Sequence, residues 1–239
     1  MTGAHRIRVL RTTASTNDDA KKAAEAGEPE GLVIRALQQT AGRGREGRPW
    51  ESPEGNLYCS ILLRPEGGLS SYGQHSFVVA LALFGTLKPL LPAVAMTLKW
   101  PNDVLIGGKK IAGILLESGP GWLVAGVGLN ILHHPERALY PTTSLKAAGS
   151  ALLNPEAVLE RFLTQLTYWC GVIREAGFGP VRSVWLENAQ KGPLAVRLPN
   201  GILEGEFLDI DEDGRLRLGL ADGSERVIAT GDIFFGGQT

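Results

Sequence analysis

A chain of 239 residues can bury one full hydrophobic core, or a core of intermediate size with a small second domain beside it. A hydrophobic content of 44%, a charged content of 21% and a formal net charge of −1 are ordinary for a globular protein and argue against a broad polyanion-binding surface. Two cysteines without a C-x-x-C pair exclude a disulfide framework, and the lack of an apolar signal region or membrane-length segment favours a cytoplasmic protein without a membrane partner.

The first part of the chain predicts strands and helices in turn, because alternating and helical apolar spacings follow each other. Ser15 or Thr16 is suited to cap a helix that Gly27 ends, since short polar side chains accept the first free N–H groups and glycine adopts the left-handed conformation after a helix. The predicted elements are strands at residues 5–12, 31–39 and 56–65 and helices at residues 16–26 and 71–91.

The pattern changes near residue 190. Before it, Gly107 and Gly108 form the turn of a hairpin and Pro155 stands at the start of a helix. After it, short strands separated by Asn-Gly and Asp-Gly turns predict a small barrel. We therefore predict an α+β fold with domains at residues 1–189 and 190–239. The remaining elements are strands at 96–100, 103–118 and 121–131, helices at 154–177 and 180–189, and short strands at 194–198, 201–210, 214–220 and 225–229.

The stretch GRGREGRPW at residues 42–50 has the letter spacing of a dinucleotide-binding turn. Such a turn needs a helix that opens at Gly47, and Pro49 and Pro53 prevent one. A solvated surface loop and a nucleic-acid patch are the alternatives. Three arginines among glycines favour a loop that closes on phosphate groups, because each guanidinium donates two parallel hydrogen bonds. Trp50 adds a flat ring on which a base can stack.

A second basic cluster follows the predicted hairpin turn, where Lys109 and Lys110 precede an apolar strand. Successive strand residues point to opposite faces, so one of the two lysines can reach inward while the other stays solvated. Beside the arginine loop, an inward lysine is a candidate for neutralising a carboxylate and a phosphate together.

In this order, the motifs closely resemble those of the biotin protein ligases. The matching stretches are STN (15–17), QQTAGRGREGRPW (38–50), GNLYCS (55–60), KWPNDVLIGGKKIAGILLE (99–117) and GVGLN (126–130), and GEFLDIDEDGRLRL in the C-terminal part is also similar. The resemblance spans nearly the whole chain. It implies a catalytic domain with a mixed β-sheet flanked by helices, followed by an SH3-like C-terminal barrel. Some members carry an N-terminal helix-turn-helix repressor domain; because only fourteen residues precede Ser15, we expect a ligase without it.

The resemblance also implies a two-step reaction. Biotin's carboxylate attacks the α-phosphate of ATP to give biotinyl-5′-AMP, and a lysine of a biotin carboxyl carrier domain, such as that of acetyl-CoA carboxylase, then takes the biotinyl group. Mg²⁺ is expected to assist ATP, although no protein metal ligands are assigned.

Roles for single residues follow from the same resemblance. Lys110 and Arg45 are the expected catalytic residues. The residues expected to bind ATP are Arg45, Arg48, Trp50, Lys110 and Asn130. Those expected to bind biotin are Ser15, Thr16, Asn17, Gln39, Gly42, Arg43, Gly44 and Lys110. Asn102 and Asp103 are interpreted as a turn and are not assigned to the site, although Asp103 could influence a metal ion.

The sequence also allows other interpretations. A lipoate or octanoyl transferase of the same superfamily would act on a similar lysine, but the arginine loop and the lysine pair favour biotin. The net charge and the single basic stretch disfavour a nucleic-acid-binding module. The acidic stretch at residues 209–214 lacks the glutamate that completes a calcium loop, and His133 and His134 have no third ligand nearby. The sequence leaves the oligomeric state open, and a homodimer is compatible with it.

Overall fold

Two β-sheets and five helices make up the described part of the chain, which in the computed structural model comprises residues 5–66, 68–136, 138, 140–199 and 201–235. The strands are β1 (Arg6–Thr13), β2 (Leu32–Gln39), β3 (Leu57–Leu63), β4 (Met96–Lys99), β5 (Asp103–Ile106), β6 (Lys109–Gly119), β7 (Trp122–Leu129), β8 (Pro193–Leu198), β9 (Gly201–Ile210), β10 (Leu216–Gly219), β11 (Glu225–Ile228) and β12 (Asp232–Phe235). The helices are α1 (Thr16–Glu25), α2 (Leu69–Tyr72), α3 (His75–Leu87), α4 (Pro155–Ala176) and α5 (Phe178–Glu187), with 3₁₀ turns at Arg45–Gly47 and Lys88–Leu90. The predicted α+β class is confirmed.

The larger sheet has the strand order β1-β2-β3-β7-β6-β5-β4. Among the strands described, β1 and β2 alone run parallel, and α1 is the crossover between them. Because β2 is covered on both faces, its first five residues are all buried instead of alternating between buried and exposed, and Arg35 is the one charged residue among them. On one face Leu32 and Ile34 pack against α1, and on the other Val33 joins the main core.

The start of α1 differs from the prediction. Ser15 has the extended backbone of a helix cap, but its side chain makes no capping hydrogen bond. Thr16, the other predicted cap, is the first residue of the helix, and its backbone N–H donates to Oε1 of Gln39 over 2.9 Å. The predicted side-chain cap is therefore wrong, because a glutamine at the end of β2 satisfies the free helix end instead. Gly27, with a φ of 84°, follows the end of the helix as predicted.

Helices α3 and α4 cover the other face of the larger sheet. Nearly all of α3 is buried beneath α4, which explains why residues 77–84 form an unbroken apolar run instead of an amphipathic pattern. Helix α4 begins as predicted at Pro155, and Asn154 accepts a hydrogen bond from the backbone N–H of Ala157 over 2.9 Å. None of the helices in the described ranges combines the length and the apolar character needed to cross a membrane.

The smaller sheet has the order β11-β10-β9-β8-β12 and is antiparallel throughout. It continues the main core, because the ring of Trp185 in α5 lies 6.5 Å from that of Phe207 in β9. Trp100 adds a polar link by donating from Nε1 to the carbonyl of Gly214 over 2.9 Å. No ladder joins β11 to β12 in the described part of the chain, so closure into a barrel stays a prediction. The domain boundary at residue 190 stays a prediction as well.

Candidate active site

A cavity of about 410 Å³ opens between the loop at residues 42–50, here called the Gly-Arg loop, strands β6 and β7 and the start of β12. Eleven of the predicted site residues line it, namely Ser15, Thr16, Asn17, Gln39, Arg43, Gly44, Arg45, Arg48, Trp50, Lys110 and Asn130. Gly42, the remaining predicted site residue, does not line the cavity. A Cβ atom at this glycine would come within 2.6 Å of Oγ of Ser52, so Gly42 permits the loop to pack closely on its base.

Gln39 organises a polar cluster in this cavity. Its Oε1 accepts hydrogen bonds from the backbone N–H and the hydroxyl of Thr16 at 2.9 and 3.1 Å, and its Nε2 donates to the hydroxyl of Ser52 at 3.0 Å. Ser60 of β3 donates to Oδ1 of Asn17 at 2.5 Å and also lies 2.7 Å from the Thr16 hydroxyl. Mutual hydrogen bonds thus hold these hydroxyl and amide groups in fixed orientations, which suits a small neutral ligand with both donors and acceptors.

An ion-pair network centred on Glu117 of β6 supports the polar cluster. Its carboxylate accepts from Asn17 at 2.7 Å, from Lys21 at 2.9 Å and from Arg43 at 2.9 Å. Arg43 also forms a bidentate pair with Asp18 of α1 at 2.8 and 2.9 Å. Burial alone raises the pKa of Glu117, but the three hydrogen bonds bring that pKa below its ordinary value. The hydrogen bond from Arg43 likewise lowers the pKa of Asp18 to about 2, so the clamp between the loop and α1 is charged at neutral pH.

The two lysines of β6 have opposite surroundings. Lys109 is exposed, whereas the Nζ of Lys110 lies 2.7 Å from Oδ1 of Asp103 and 5.4 Å from the ring centroid of Trp50. Asp103 is buried at the start of β5, so the interpretation of this residue as part of a turn alone is incomplete. Its carboxylate holds the ammonium of Lys110 in the cavity.

Strands β6 and β7 form the floor of the cavity beneath Trp50. A Cβ atom on Gly128 would come within 2.5 Å of the indole, and one on Gly113 within 3.1 Å, so both glycines make room for the ring. The indole Nε1 is buried without a hydrogen-bond acceptor in the described part of the chain, a cost that a ligand with an acceptor would relieve. Asn130, just past the end of β7, donates from Nδ2 to the carbonyl of Thr143 over 3.0 Å.

Arg45 and Arg48 join the loop to the smaller sheet. Arg45 donates to the carbonyl of Gly231 at 3.1 Å and to the hydroxyl of Thr230 at 3.0 Å. Arg48 donates to Oδ1 of Asp232, the first residue of β12, at 2.7 Å. The loop is therefore anchored on both sides of the cavity, through Arg43 on one side and through these two arginines on the other.

Four residues that line the cavity near Lys110 and Arg48 were not among the predicted site residues, namely Lys99, Asp103, Tyr140 and Asp232. Lys99 and Asp103 are the first and last residues of the KWPND stretch, and a lysine and an aspartate on either side of a tight turn are a local signal that could have indicated them. Tyr140 and Asp232 come from distant segments without a pattern of their own. Contacts formed only on folding bring these two residues to the cavity.

Comparisons with known proteins identify similar sequences and structures. A family model described as biotin/lipoate A/B protein ligase family matches residues 9–131, and one described as biotin protein ligase C terminal domain matches residues 194–236. A biotin–acetyl-CoA-carboxylase ligase of Paracoccus denitrificans is 38% identical, with 96% of this chain and 100% of the relative covered. A protein of the same name from Mycobacterium tuberculosis is 34% identical, with 97% and 89% covered. The solved structure of biotin protein ligase from Aquifex aeolicus in complex with biotin and ATP is similar with a TM-score of 0.82, at 26% identity over 96% of this chain and 97% of that one.

Proposed function

Because the chain belongs to the biotin/lipoate A/B protein ligase family, we propose that it is a biotin–acetyl-CoA-carboxylase ligase. It activates biotin with ATP to biotinyl-5′-AMP and transfers the biotinyl group to a lysine of a biotin carboxyl carrier domain. Relatives of that name, 34 and 38% identical over nearly the whole chain, support the assignment.

The observation that carries the proposal is that one cavity contains both a cluster of neutral polar groups and a cluster of cations. The hydroxyl and amide groups around Gln39 are complementary to the ureido ring of biotin, which both donates and accepts hydrogen bonds. The cations around Lys110 are complementary to a carboxylate and to phosphates. A cavity of about 410 Å³ with a few convergent polar groups is typical of small-molecule sites.

In the first step, an oxygen of the biotin carboxylate attacks the α-phosphorus of ATP. The bond between the α-phosphorus and the bridging oxygen breaks, and pyrophosphate leaves with the electron pair. Because two anions must approach each other, a cation between them lowers the barrier. Lys110 has this role, and Asp103 at 2.7 Å orients its ammonium. Arg45 and Arg48 bind the phosphates, exchanging their present partners for phosphate oxygens.

In the second step, the amine of the acceptor lysine attacks the acyl carbon of biotinyl-5′-AMP. The bond from that carbon to the phosphate oxygen breaks, AMP leaves with the electron pair, and the amine releases its proton to solvent. Water would hydrolyse the mixed anhydride, so the Gly-Arg loop acts as a lid. Under this lid Trp50 covers the adenine and Asn130 contacts the nucleotide.

Two carboxylates make the cavity suitable for Mg²⁺ as a companion of ATP. They are those of Asp103 and Asp232, while no cluster of three metal-ligating side chains exists among the described residues. Mg²⁺ in nucleotide sites commonly takes one or two carboxylates and completes its shell with phosphates and water. The two aspartates would hold the ion, which would neutralise phosphate charge.

A lipoate ligase is the second candidate, since the family name covers both substrates. The polar cluster favours biotin. The dithiolane ring of lipoate has neither N–H nor carbonyl groups, so it would leave the amide and hydroxyl groups of Gln39, Thr16 and Asn17 without ligand partners in a closed site.

The test is ATP–pyrophosphate exchange measured with biotin and with lipoate in parallel. We expect exchange with biotin and none with lipoate. Mass spectrometry of a biotin carboxyl carrier domain, incubated with enzyme, biotin and ATP, should then locate biotin on one lysine. Exchange supported by lipoate alone would contradict the proposal.

A further inference from the structure

Lys99, the last residue of β4, carries a buried ammonium group. It lines both the main cavity and a second cavity of about 110 Å³ beside it, and it is 7% exposed. Asp103 is its cross-strand neighbour, but the carboxylate of Asp103 is paired with Lys110 at 2.7 Å. Within the described ranges, Lys99 forms no ion pair of its own.

Two aromatic rings surround this ammonium group instead. Nζ of Lys99 lies 4.1 Å from the ring centroid of Tyr140 and 5.8 Å from that of Phe234. Aromatic faces attract a cation but supply no full countercharge, and burial of an ammonium without a countercharge is unfavourable. Burial accordingly lowers the pKa of Lys99 to about 8, which leaves the side chain mostly protonated at neutral pH.

The surroundings of Lys99 differ from those of Lys110. Lys110 contacts Asp103 and the loop tryptophan, whereas Lys99 lies at the junction with the smaller sheet through its contact with Phe234. Arg45 and Arg48 reach the same junction by binding the segment that begins β12. Four cations, those of Lys99, Lys110, Arg45 and Arg48, therefore face two carboxylates, those of Asp103 and Asp232, in this part of the cavity. Such a surplus of positive charge suits a polyanion.

We propose that Lys99 binds the β- and γ-phosphates of ATP and holds the pyrophosphate that the first step releases. The inference rests on the proposed function and assigns a residue to the end of the nucleotide that Lys110 does not contact. An incoming polyphosphate supplies the countercharge that Lys99 lacks, so the buried cation becomes fully paired only in the loaded site. The other reading is that Lys99 only packs its aliphatic stem between two rings.

Lys99→Met separates the two readings, because methionine keeps an apolar stem and removes the charge. We expect the KM for pyrophosphate in biotin-dependent exchange to rise about tenfold or more, as for loss of a charged hydrogen bond. Transfer of biotin from supplied biotinyl-5′-AMP to a carrier domain should stay within about twofold of wild type, because this intermediate has no β- or γ-phosphate. The matched control is Lys109→Met, which removes the same charge from the exposed neighbour of Lys110.

Two outcomes of this experiment would overturn the inference, and a third would refute the proposed function. An unchanged KM for pyrophosphate in Lys99→Met would overturn the inference. An equal fall in exchange and in transfer would overturn it too, because it would show a structural role. Absence of exchange in the wild-type protein would instead refute the proposed function.

A measurement on the wild-type protein keeps the inference testable if Lys99→Met does not fold. Lysines are acetylated with acetic anhydride in the presence or absence of inorganic pyrophosphate, and mass spectrometry gives the rate at each site. We expect pyrophosphate to slow acetylation of Lys99 and to leave that of Lys109 unchanged. Equal rates at Lys99 with and without pyrophosphate would overturn the inference.

Discussion

Lys109 and Lys110 are adjacent residues with the same charge and different surroundings. Strand alternation points Lys109 to solvent and Lys110 into the cavity, where 19% of its side chain is exposed and Asp103 holds the ammonium at 2.7 Å. Because this ion pair exists before any substrate binds, the charge would need little reorganisation in the proposed reaction. At the scale of single residues, position on the strand therefore decides which lysine lines the cavity, and this is the ground for the catalytic role proposed for Lys110.

Lys110→Ala should lower biotin-dependent ATP–pyrophosphate exchange by about a hundredfold or more, as expected for loss of a preorganised charge at the reacting atoms. Circular dichroism should show an intact fold, since Lys110 is not part of the hydrophobic core. Lys109→Ala is the matched control, with exchange expected within about twofold of wild type, as for a surface substitution. Wild-type exchange in Lys110→Ala would rule out the role given to this residue.

Strand β7 shows how one element prepares the floor of the site. Gly126 and Gly128 are two residues apart and share the face of the strand toward the cavity. A Cβ atom at Gly126 would come within 2.2 Å of Oδ1 of Asn17, and one at Gly128 within 2.5 Å of the Trp50 ring. Glycine weakens a strand, but here it lets side chains from a helix and a loop approach the backbone closely.

Gly126→Ala should displace the Asn17 side chain and so break its hydrogen bonds with Ser60 and Glu117. We expect the dissociation constant for biotin to rise about tenfold or more, the effect of leaving buried polar groups unsatisfied. Isothermal titration calorimetry measures it. Gly171→Ala in α4 is the control, because its added Cβ atom would meet nothing within 4 Å. Unchanged biotin affinity in Gly126→Ala would show that the position of Asn17 does not matter for binding.

The two sheets pack into one folding unit because they share a hydrophobic core. Phe77 of α3 lies 5.1 Å from Trp185 of α5 between ring centroids, and Trp185 in turn faces Phe207 of β9 at 6.5 Å. Polar contacts add to this, since Arg48 from the loop binds Asp232 of β12 at 2.7 Å. The smaller sheet therefore supplies part of the cavity wall and also part of the support for the core. We expect the chain to unfold in a single cooperative transition.

Phe207→Ala should lower the free energy of unfolding by about 3–5 kcal/mol, as for other large-to-small changes of buried phenylalanine. Calorimetry should still show one transition at a lower temperature. Leu208→Ala changes the next residue, which is 45% exposed, and should alter stability by about 0.5 kcal/mol or less. Two separate transitions, with only one of them sensitive to Phe207→Ala, would show that the sheets unfold independently.

Local spacing and turn residues were enough to predict the type and order of most elements, although strand β12 was not predicted. The hairpin at Gly107 and Gly108 and the helix start at Pro155 are examples. The predicted roles of the site residues came from motifs that resemble a known family, and they stay proposals for this chain.

Only the tertiary structure decided which groups these residues meet. Gln39 satisfies the helix end at Thr16 across 23 residues, Glu117 ties α1 to the loop, and Asp232 reaches Arg48 from the smaller sheet. Lys99 was missed because its exceptional feature, a buried charge that forms no ion pair with the residues the structure describes, exists only after Tyr140 and Phe234 pack around it. The spacing of apolar residues indicates which face of a single helix or strand is buried. The burial and pairing of a charged side chain depend on segments that come together only on folding.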